Sequence, residues 1–495
     1  MVYNFNLGLG WASSGVEYAQ AYRANILRRA GIPAKFVFMD MFTQENIEHF
    51  SKNIGFLDEE IIWLYTYFTD LKIAPASFTL KDLEATFSET KFRFGRTGKT
   101  CKYFFENNTY YTVYMYGETS EFVRAVDIVS NNRLIQKDYY TYTRVFSEIF
   151  APLDKKAHVY SRRYYNENGS VAYEEVLDGE NEFYRFPDRI CYSKQELIGY
   201  MVSRMNLTKD DYVIIDRTTG IGEAILRNCN DAKVIMPIHA DHFNEGNSTE
   251  EHVLWNNYYE YAFAQHKHVY AYVTATDAQN QLLRKQFLKY VGVEPNVVTI
   301  PVGSLDELVV PKESRKKHSL ITASRLAKEK HCDWLVEAVV KAHEKVNDVT
   351  LDIYGKGGEE VALKELIVKL NAQDYVHMMG QHKLDEVYQT YDAYFSASQS
   401  EGFGLSLMEA IGSGLPIIGF DVRYGNQTFI EDGKNGYVIP IHDKMDKAEK
   451  VKLLSEKLIK MFTEDDMEAF HNKSYEIAKT YLTEEVEKRW VQLLG

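Results

Sequence analysis

Two carboxylates flank a glycine-rich entry in the run Ser400-Glu401-Gly402-Phe403-Gly404-Leu405-Ser406-Leu407-Met408-Glu409-Ala410. Glycines beside Glu401 leave backbone N–H groups open to a sugar or a phosphate. Glu401 suits sugar hydroxyls near a reacting carbon, and Glu409 suits the paired hydroxyls of a ribose. A glutamate at a helix start also suits the helix dipole on its own account. A second group lies in Ser324-Arg325-Leu326-Ala327-Lys328-Glu329-Lys330-His331, just after an apolar run. Loops leaving the carboxyl end of a parallel strand are where open α/β sheets bind ligands. There the Arg325 fork and the Lys330 point charge match a diphosphate, although a solvated basic loop has the same spelling. A third segment, Pro237-Ile238-His239-Ala240-Asp241-His242, ends another apolar run. A histidine leaving a strand can donate to a sugar or to charge developing on a leaving group. Of the two, His239 ends the strand directly and His242 is the alternative. Metal ligation by His239, Asp241 and His242 is the competing reading, but three ligands so close on one extended segment rarely converge. The fourth piece is the turn Ser13-Ser14-Gly15-Val16, between the first strand and the first helix, where N–H groups at a helix start can approach a phosphate. An ordinary tight βα turn reads the same way.

These pieces need elements that hold them at strand ends. The first forty residues read as strand, turn, helix, turn, strand. Short apolar runs at Tyr212 to Asp216, Val234 to Ile238, Val269 to Thr274 and Val297 to Ile300 alternate with helical segments, as buried parallel strands do. From Ser319 the alternation begins again with SLITAS, LDIYG, YVHMMG, AYFSAS and PIIGF, so a second parallel-sheet domain is expected. Between about Leu80 and Tyr192 the helical period fades. Alternating segments such as KYFFE, TYYTVYMYG and FVRAVDIVS, broken by Asn-Asn, Asn-Gly and Asp-Gly, predict an antiparallel meander inserted into the first domain. The expected organisation is residues 1–79 with 193–310 as an N-terminal Rossmann-like lobe and 80–192 as the inserted sheet. Residues 311–480 form a C-terminal lobe for the nucleotide sugar, and 481–495 a last helix returning toward the N-terminal lobe.

Composition narrows the partners. A net charge of −14 over 495 residues works against nucleic acid or an anionic membrane as a direct partner. Four cysteines far apart, with no Cys-x-x-Cys, point to a reducing compartment rather than to a disulfide framework or zinc site. No leader-like N-terminus and no membrane-length apolar run is read, so a cytoplasmic protein is expected. Tyr and Phe number 36 and 27 and crowd between Tyr103 and Tyr165, either covering one buried face of the inserted sheet or forming a protein interface. The turn at Gly15 lacks G-x-G-x-x-G, which disfavours a dinucleotide cofactor. No Asp-x-Asp triplet occurs anywhere in the chain. Arg325, Lys330 and the glycine-rich backbone donors then supply the positive potential that Mg²⁺ supplies elsewhere, and neither metal nor cofactor is expected.

The Ser-Arg-Leu-x-x-x-Lys loop, the Glu-Gly-Phe-Gly…Glu signature and the Gly-x-Pro-Ile-Ile strand resemble the GT-B family of retaining glycosyltransferases. SSGVEYAQAYR, TGIG, HADH, LWNNYYEY, TIPVGS, LITASRLAKEKH and SEGFGLSLMEAIGSGLPIIGFDVRYGNQTFIEDGKNGY, with the Tyr-rich insert, resemble a narrower group. They are similar to the GtfA-type catalytic subunits of accessory-Sec peptide O-GlcNAc transferases, over essentially the whole chain. The resemblance implies an α/β GT-B fold, two Rossmann-like lobes facing across a cleft with an antiparallel meander in the N-terminal one. It implies retaining transfer of GlcNAc from UDP-GlcNAc to Ser or Thr hydroxyls of a serine-rich repeat adhesin. It also implies a GtfB-type partner in an A2B2 assembly, with membrane association only through that partner. Carried over residue by residue, Ser14, Gly15, Val16, Glu17 and Tyr18 line the UDP site with Gln381, His382 and Glu409. His239, Glu401, Gly402, Phe403 and Gly404 take GlcNAc, and Arg325 and Lys330 hold the diphosphate. Two readings compete: the same fold acting on teichoic acid or a glycolipid, and a non-catalytic scaffold, which the retained Arg325, Lys330, Glu401 and Glu409 disfavour. A UDP-sugar epimerase would leave the aromatic insert without a purpose.

Overall fold

Val2–Asn6 becomes an interior strand because both of its edges find parallel partners, Ala34–Phe38 on one side and Tyr212–Ile215 on the other. The computed structural model describes residues 1–9, 15–88, 91–154, 156–442 and 444–495. Its contacts form two compact units, Met1–Met236 with Asn256–Tyr270, and Pro237–Trp255 with Ala271–Gly495.

In the first unit the parallel strands run in the order Lys233–Ile238, Tyr212–Ile215, Val2–Asn6, Ala34–Phe38, Ile61–Trp63. Phe5, Val37 and Ile215 stand in one register and are fully buried, as expected for a strand covered on both faces. The helix Gly15–Arg29 turns an apolar face of Val16, Ala19, Ile26 and Leu27 inward, together with Glu17, Gln20 and Arg23. Buried charge of this kind survives only when paired and hydrogen-bonded. Arg23 meets Asp216 at 2.6 Å and donates to Asn4 Oδ1 at 2.8 Å, while Gln20 donates to the same carboxylate at 2.6 Å.

Ten antiparallel strands follow, from Phe92–Thr97 to Ile190–Cys191, each hydrogen-bonded to the next in chain order. This is the meander expected from the alternation. One connection shows the cause: Asn131 and Asn132, at φ 48° and 61°, make a two-residue turn that pairs Ser130 with Arg133. Asparagine tolerates the left-handed region that such hairpin turns demand. The aromatic residues divide between two roles. Tyr164 stacks on Tyr173 at 4.4 Å between centroids, Tyr173 donates to the Tyr65 carbonyl, and Phe68 packs on Phe186, so many rings fasten the sheet to residues 63–68. Phe104 and Tyr160 instead stay exposed.

The second unit holds six parallel strands in the order Val376–Gly380, Thr350–Tyr354, Ser319–Ala323, Ala393–Phe395, Ile417–Phe420, Gly436–Ile439. The helices Cys332–His343, Glu360–Lys369 and Lys447–Thr463 contribute to a core that includes Trp334, Leu335, Ile353, Phe395 and Leu454. The helix Asp277–Tyr290, capped by the Thr276 side chain, connects the strand Val269–Thr274 to its parallel partner Val297–Thr299. The last helix, Thr483–Leu494, is tied to residues 304–306: Thr483 N donates to the Leu305 carbonyl at 2.8 Å and its hydroxyl to Asp306 at 2.9 Å. Among the described residues no helix is long and apolar enough to cross a membrane.

Candidate active site

The strand Ser319–Ala323 delivers Ser324 to Lys330 into a loop pressed against the neighbouring strand end. Ser324 N donates to the Tyr354 carbonyl and Leu326 N to the Lys356 carbonyl, while the Leu326 side chain is buried. Room for this comes from two glycines: a Cβ on Gly355, at φ 134°, would fall 1.9 Å from the Ser324 carbonyl oxygen, and one on Gly357 2.3 Å from that of Leu326. The loop therefore presents its two cations differently. Arg325 is 79% exposed and pairs only at the surface with Glu329, at 3.2 Å. Lys330 is 19% exposed, and its ammonium hydrogen-bonds Glu401, itself 15% exposed, and the Ser398 hydroxyl at 3.3 Å. Ser398 also lies 3.0 Å from the Glu401 carboxylate. A cation, a carboxylate and a hydroxyl thus meet at adjacent strand ends.

The turn carrying Glu401 is held by its backbone. Glu401 N donates to the Arg423 carbonyl, and Tyr424 N and Gly425 N both donate to the Glu401 carbonyl, at 2.6 and 2.8 Å. Gly425 must be glycine for this approach, since a Cβ would sit 2.2 Å from the Phe403 carbonyl oxygen. Gly404, at φ 89°, then starts the helix Leu405–Gly412. Among the described residues no hydrogen-bond partner is found for the backbone N–H groups of Gly402, Phe403, Gly404, Leu405 or Ser406. Such a run at a helix N-terminus suits an anion or sugar oxygens. The Phe403 side chain points away from any such ligand, into a cluster with Phe429 and Tyr481, so what this residue offers is backbone. Gly402 touches the segment leaving Lys233–Ile238: its Cβ would lie 3.2 Å from the His239 carbonyl. His239 is half-buried there. His242 is fully buried between Gln286 and Tyr424, and burial pushes its pKa down to about 4, the Arg423 charge adding to this while the Gln286 hydrogen bond opposes it.

Glu409 lies within the helix and accepts a hydrogen bond from the Tyr388 hydroxyl at 3.0 Å. Burial pushes its carboxyl up to about 7, against the lowering effect of that bond and with a small contribution from Asp385. Gln381 and His382 follow the strand Val376–Gly380, both exposed, with the His382 ring donating to the Met379 carbonyl at 2.8 Å. Ser14 lies outside the described residues. In the first compact unit Gly15 opens its helix, and a Cβ there would meet nothing within 4 Å. Val16 is buried, Tyr18 is exposed, and Glu17 turns inward to accept from Asn6 at 3.4 Å.

Lys330, Glu401 and the 402–406 amides are thus brought into one neighbourhood, with Gly402 touching His239. Ser398, Gly355, Gly357 and Gly425, which shape this neighbourhood, and Tyr388, which donates to Glu409, escaped sequence reasoning. The glycines had a signal in Tyr354-Gly355-Lys356-Gly357-Gly358 after a strand. The hydroxyls had none. Two cavities of about 500 and 470 Å³ lie elsewhere, lined by residues such as Ile62 and Leu71 or Arg189 and Tyr200.

Residues 93–188 match the GtfA extended beta-sheet domain, and residues 306–467 match glycosyl transferases group 1. The chain is 51% identical, over its full length and 98% of the relative, to the GtfA subunit of the UDP-N-acetylglucosamine–peptide N-acetylglucosaminyltransferase of Streptococcus gordonii. It belongs to the GtfA subunit family. The GtfA subunit of Streptococcus pneumoniae is 46% identical, covering 99% of this chain and 98% of the relative. Among solved structures, a GtfA/B complex superposes with a TM-score of 0.97 at 51% identity, covering 100% of this chain and 99% of that one. The pneumococcal O-GlcNAc transferase GtfA in complex with UDP and GlcNAc superposes at 0.91 with 46% identity, covering 100% and 98%. A structure of TarM, at 22% identity and a TM-score of 0.77, shares the fold. The GtfA family assignment makes the fold class GT-B, two Rossmann-like units with an antiparallel sheet inserted in the N-terminal region.

Proposed function

We propose that the chain transfers GlcNAc from UDP-GlcNAc to Ser or Thr hydroxyls of a serine-rich repeat adhesin, with retention and without a metal ion. The observation that carries this reading is the Lys330–Ser398–Glu401 cluster beside the open amides of residues 402–406. Breaking the bond between C1 of GlcNAc and the diphosphate oxygen leaves negative charge on UDP. Lys330, Arg325 and the amide run stabilise that charge as it develops. The acceptor hydroxyl bonds to C1 on the face the diphosphate leaves, and a diphosphate oxygen takes its proton, so UDP departs protonated and the products balance. Glu401 and His239 hold sugar hydroxyls, Glu409 accepts from the ribose, and Gln381, His382 and the turn at Gly15 complete the nucleotide contacts.

The names of the relatives support UDP-GlcNAc as donor and a peptide as acceptor, and the GtfA/B complex supports a GtfB-type partner. Through that partner the chain would work in the cytoplasm at the inner face of the membrane. Acceptor polyol phosphate is the weaker reading, because the poly(ribitol-phosphate) transferase relative is only 26% identical over 75% of this chain.

The test is kinetic, with the chain and its partner incubated with UDP-GlcNAc and either a Ser/Thr-rich peptide or a polyol phosphate. Lys330→Ala should lose on the order of 10²–10³ in rate, as when one donor to a developing oxyanion is removed. Chelator should leave transfer intact. Near-normal transfer by Lys330→Ala, or preference for the polyol phosphate, sinks the assignment.

A further inference from the structure

Two glutamines seven residues apart share one face of the helix Asp277–Tyr290, and both reach the turn that leaves the strand Lys233–Ile238. Gln279 Nε2 donates to the Ala240 carbonyl at 2.9 Å, and Gln286 Oε1 lies 2.6 Å from His242 Nε2. Both side chains are buried, Gln279 at 1% exposure and Gln286 at 8%. A buried amide costs free energy unless it is hydrogen-bonded, and each glutamine directs a bond to this one turn, although Gln279 Oε1 finds no partner among the described residues.

The other ring nitrogen of His242 faces the Tyr424 hydroxyl at 3.4 Å, and that hydroxyl also lies against the Asp241 carboxylate. Tyr424 is 1% exposed, and its own N–H is one of the two that hold the Glu401 carbonyl. A continuous chain therefore runs from Gln286 through the His242 ring and the Tyr424 ring to the backbone of Glu401. It joins the two turns that also touch directly where Gly402 meets the His239 carbonyl.

We propose that His242 is a positioning residue: bridging Gln286 and Tyr424, it fixes the turn bearing His239 against the turn bearing Glu401. It touches no substrate. Burial keeps the ring uncharged near neutrality, which suits a spacer and not a proton donor to a sugar. The proposal rests on the transferase reading for its kinetic consequence but not for its structural one.

Two readouts separate the two. First, with the partner present, Gln286→Leu and His242→Leu should each lower kcat for GlcNAc transfer about tenfold, the effect of a small misplacement of reacting groups. Affinity for UDP, measured by calorimetry, should stay within about twofold, since the nucleotide contacts lie elsewhere. His242→Gln should recover part of the loss, because its amide can still meet Gln286, and the Gln286→Leu/His242→Leu pair should be no slower than either single variant. Second, hydrogen exchange at the amides of Glu401, Tyr424 and Gly425 should quicken about tenfold in Gln286→Leu. Unchanged exchange at these amides, or UDP affinity falling in step with kcat, overturns the positioning role. Quickened exchange in a chain that transfers no GlcNAc leaves the linkage standing and overturns the transferase reading instead.

Discussion

In the proposed ribose-binding role Glu409 must be ionised to accept two hydroxyls, yet burial pushes its carboxyl up to about 7. Donor binding and folding therefore pull it in opposite directions. The empty folded chain holds this proton more tightly than the unfolded chain does. Its contribution to stability is thus full below the ordinary glutamate value of 4.5 and is lost as pH rises through about 7. Affinity for UDP-GlcNAc should instead rise with pH and level off above 7, with binding at pH 6 about tenfold weaker than at pH 8 by calorimetry. Glu409→Gln should bind more weakly but without that slope; an unchanged slope would place the titrating group elsewhere. Lys330 and Glu401 were legible in the sequence because charged residues stood just after apolar runs. Ser398 was not, since a serine beside a strand end has no spacing of its own. Phe403 shows a different limit: a residue flanked by glycines can turn either way, and only the ring cluster of Phe429 and Tyr481 decides that it turns inward.

At the scale of elements, the loop carrying Arg325 and Lys330 is shaped by the glycines of the next strand end. Gly357→Ala would drive a Cβ into the Leu326 backbone, 2.3 Å from its oxygen and 2.8 Å from its nitrogen. Backbone cannot rotate aside as a long side chain can, so the loop must shift. We expect a loss of about 1–3 kcal/mol in stability, read as a lowered Tm, together with slower transfer. Gly358→Ala, whose Cβ would meet nothing within 4 Å, is the control and should behave as the parent. The strands and helices themselves were readable from period and length, and the hairpin at Asn131-Asn132 from residue type alone. The close approach of two loops was not, because it depends on register between strands 31 residues apart in sequence, Ala323 opposite Tyr354. The two glutamines of the helix Asp277–Tyr290 were hidden for a related reason. A polar pair at i and i+7 reads as a solvated stripe until the partner turn is known to cover it.

For the molecule as a whole, the restart of the alternating pattern at Ser319 disclosed the second parallel sheet, and the change from helical to twofold period disclosed the insert. What the pattern left open was the use of the aromatic residues. Successive residues on a strand face opposite ways, so Tyr103 is fully buried while Phe104 is 38% exposed. Phe104→Glu or Tyr160→Glu, on the open side, should weaken capture of a GtfB-type subunit by about tenfold or more, as loss of an aromatic anchor does. Acceptor-free hydrolysis of UDP-GlcNAc should stay at the parental rate. Equal loss of both activities would mean that these rings support the fold.

Val2–Asn6 pairs on one edge with a strand about thirty residues further on, Val2 opposite Ala34, and on the other with one that comes only after the whole insert, Val2 opposite Tyr212. Every pairing within the insert is between sequence neighbours. Contacts that close short loops form sooner than those that close long ones. As the polypeptide emerges from the ribosome, the meander can zip up while the opening strand still waits, one side bare, for residues not yet translated. A chain built this way is most vulnerable to mispairing midway through its own synthesis.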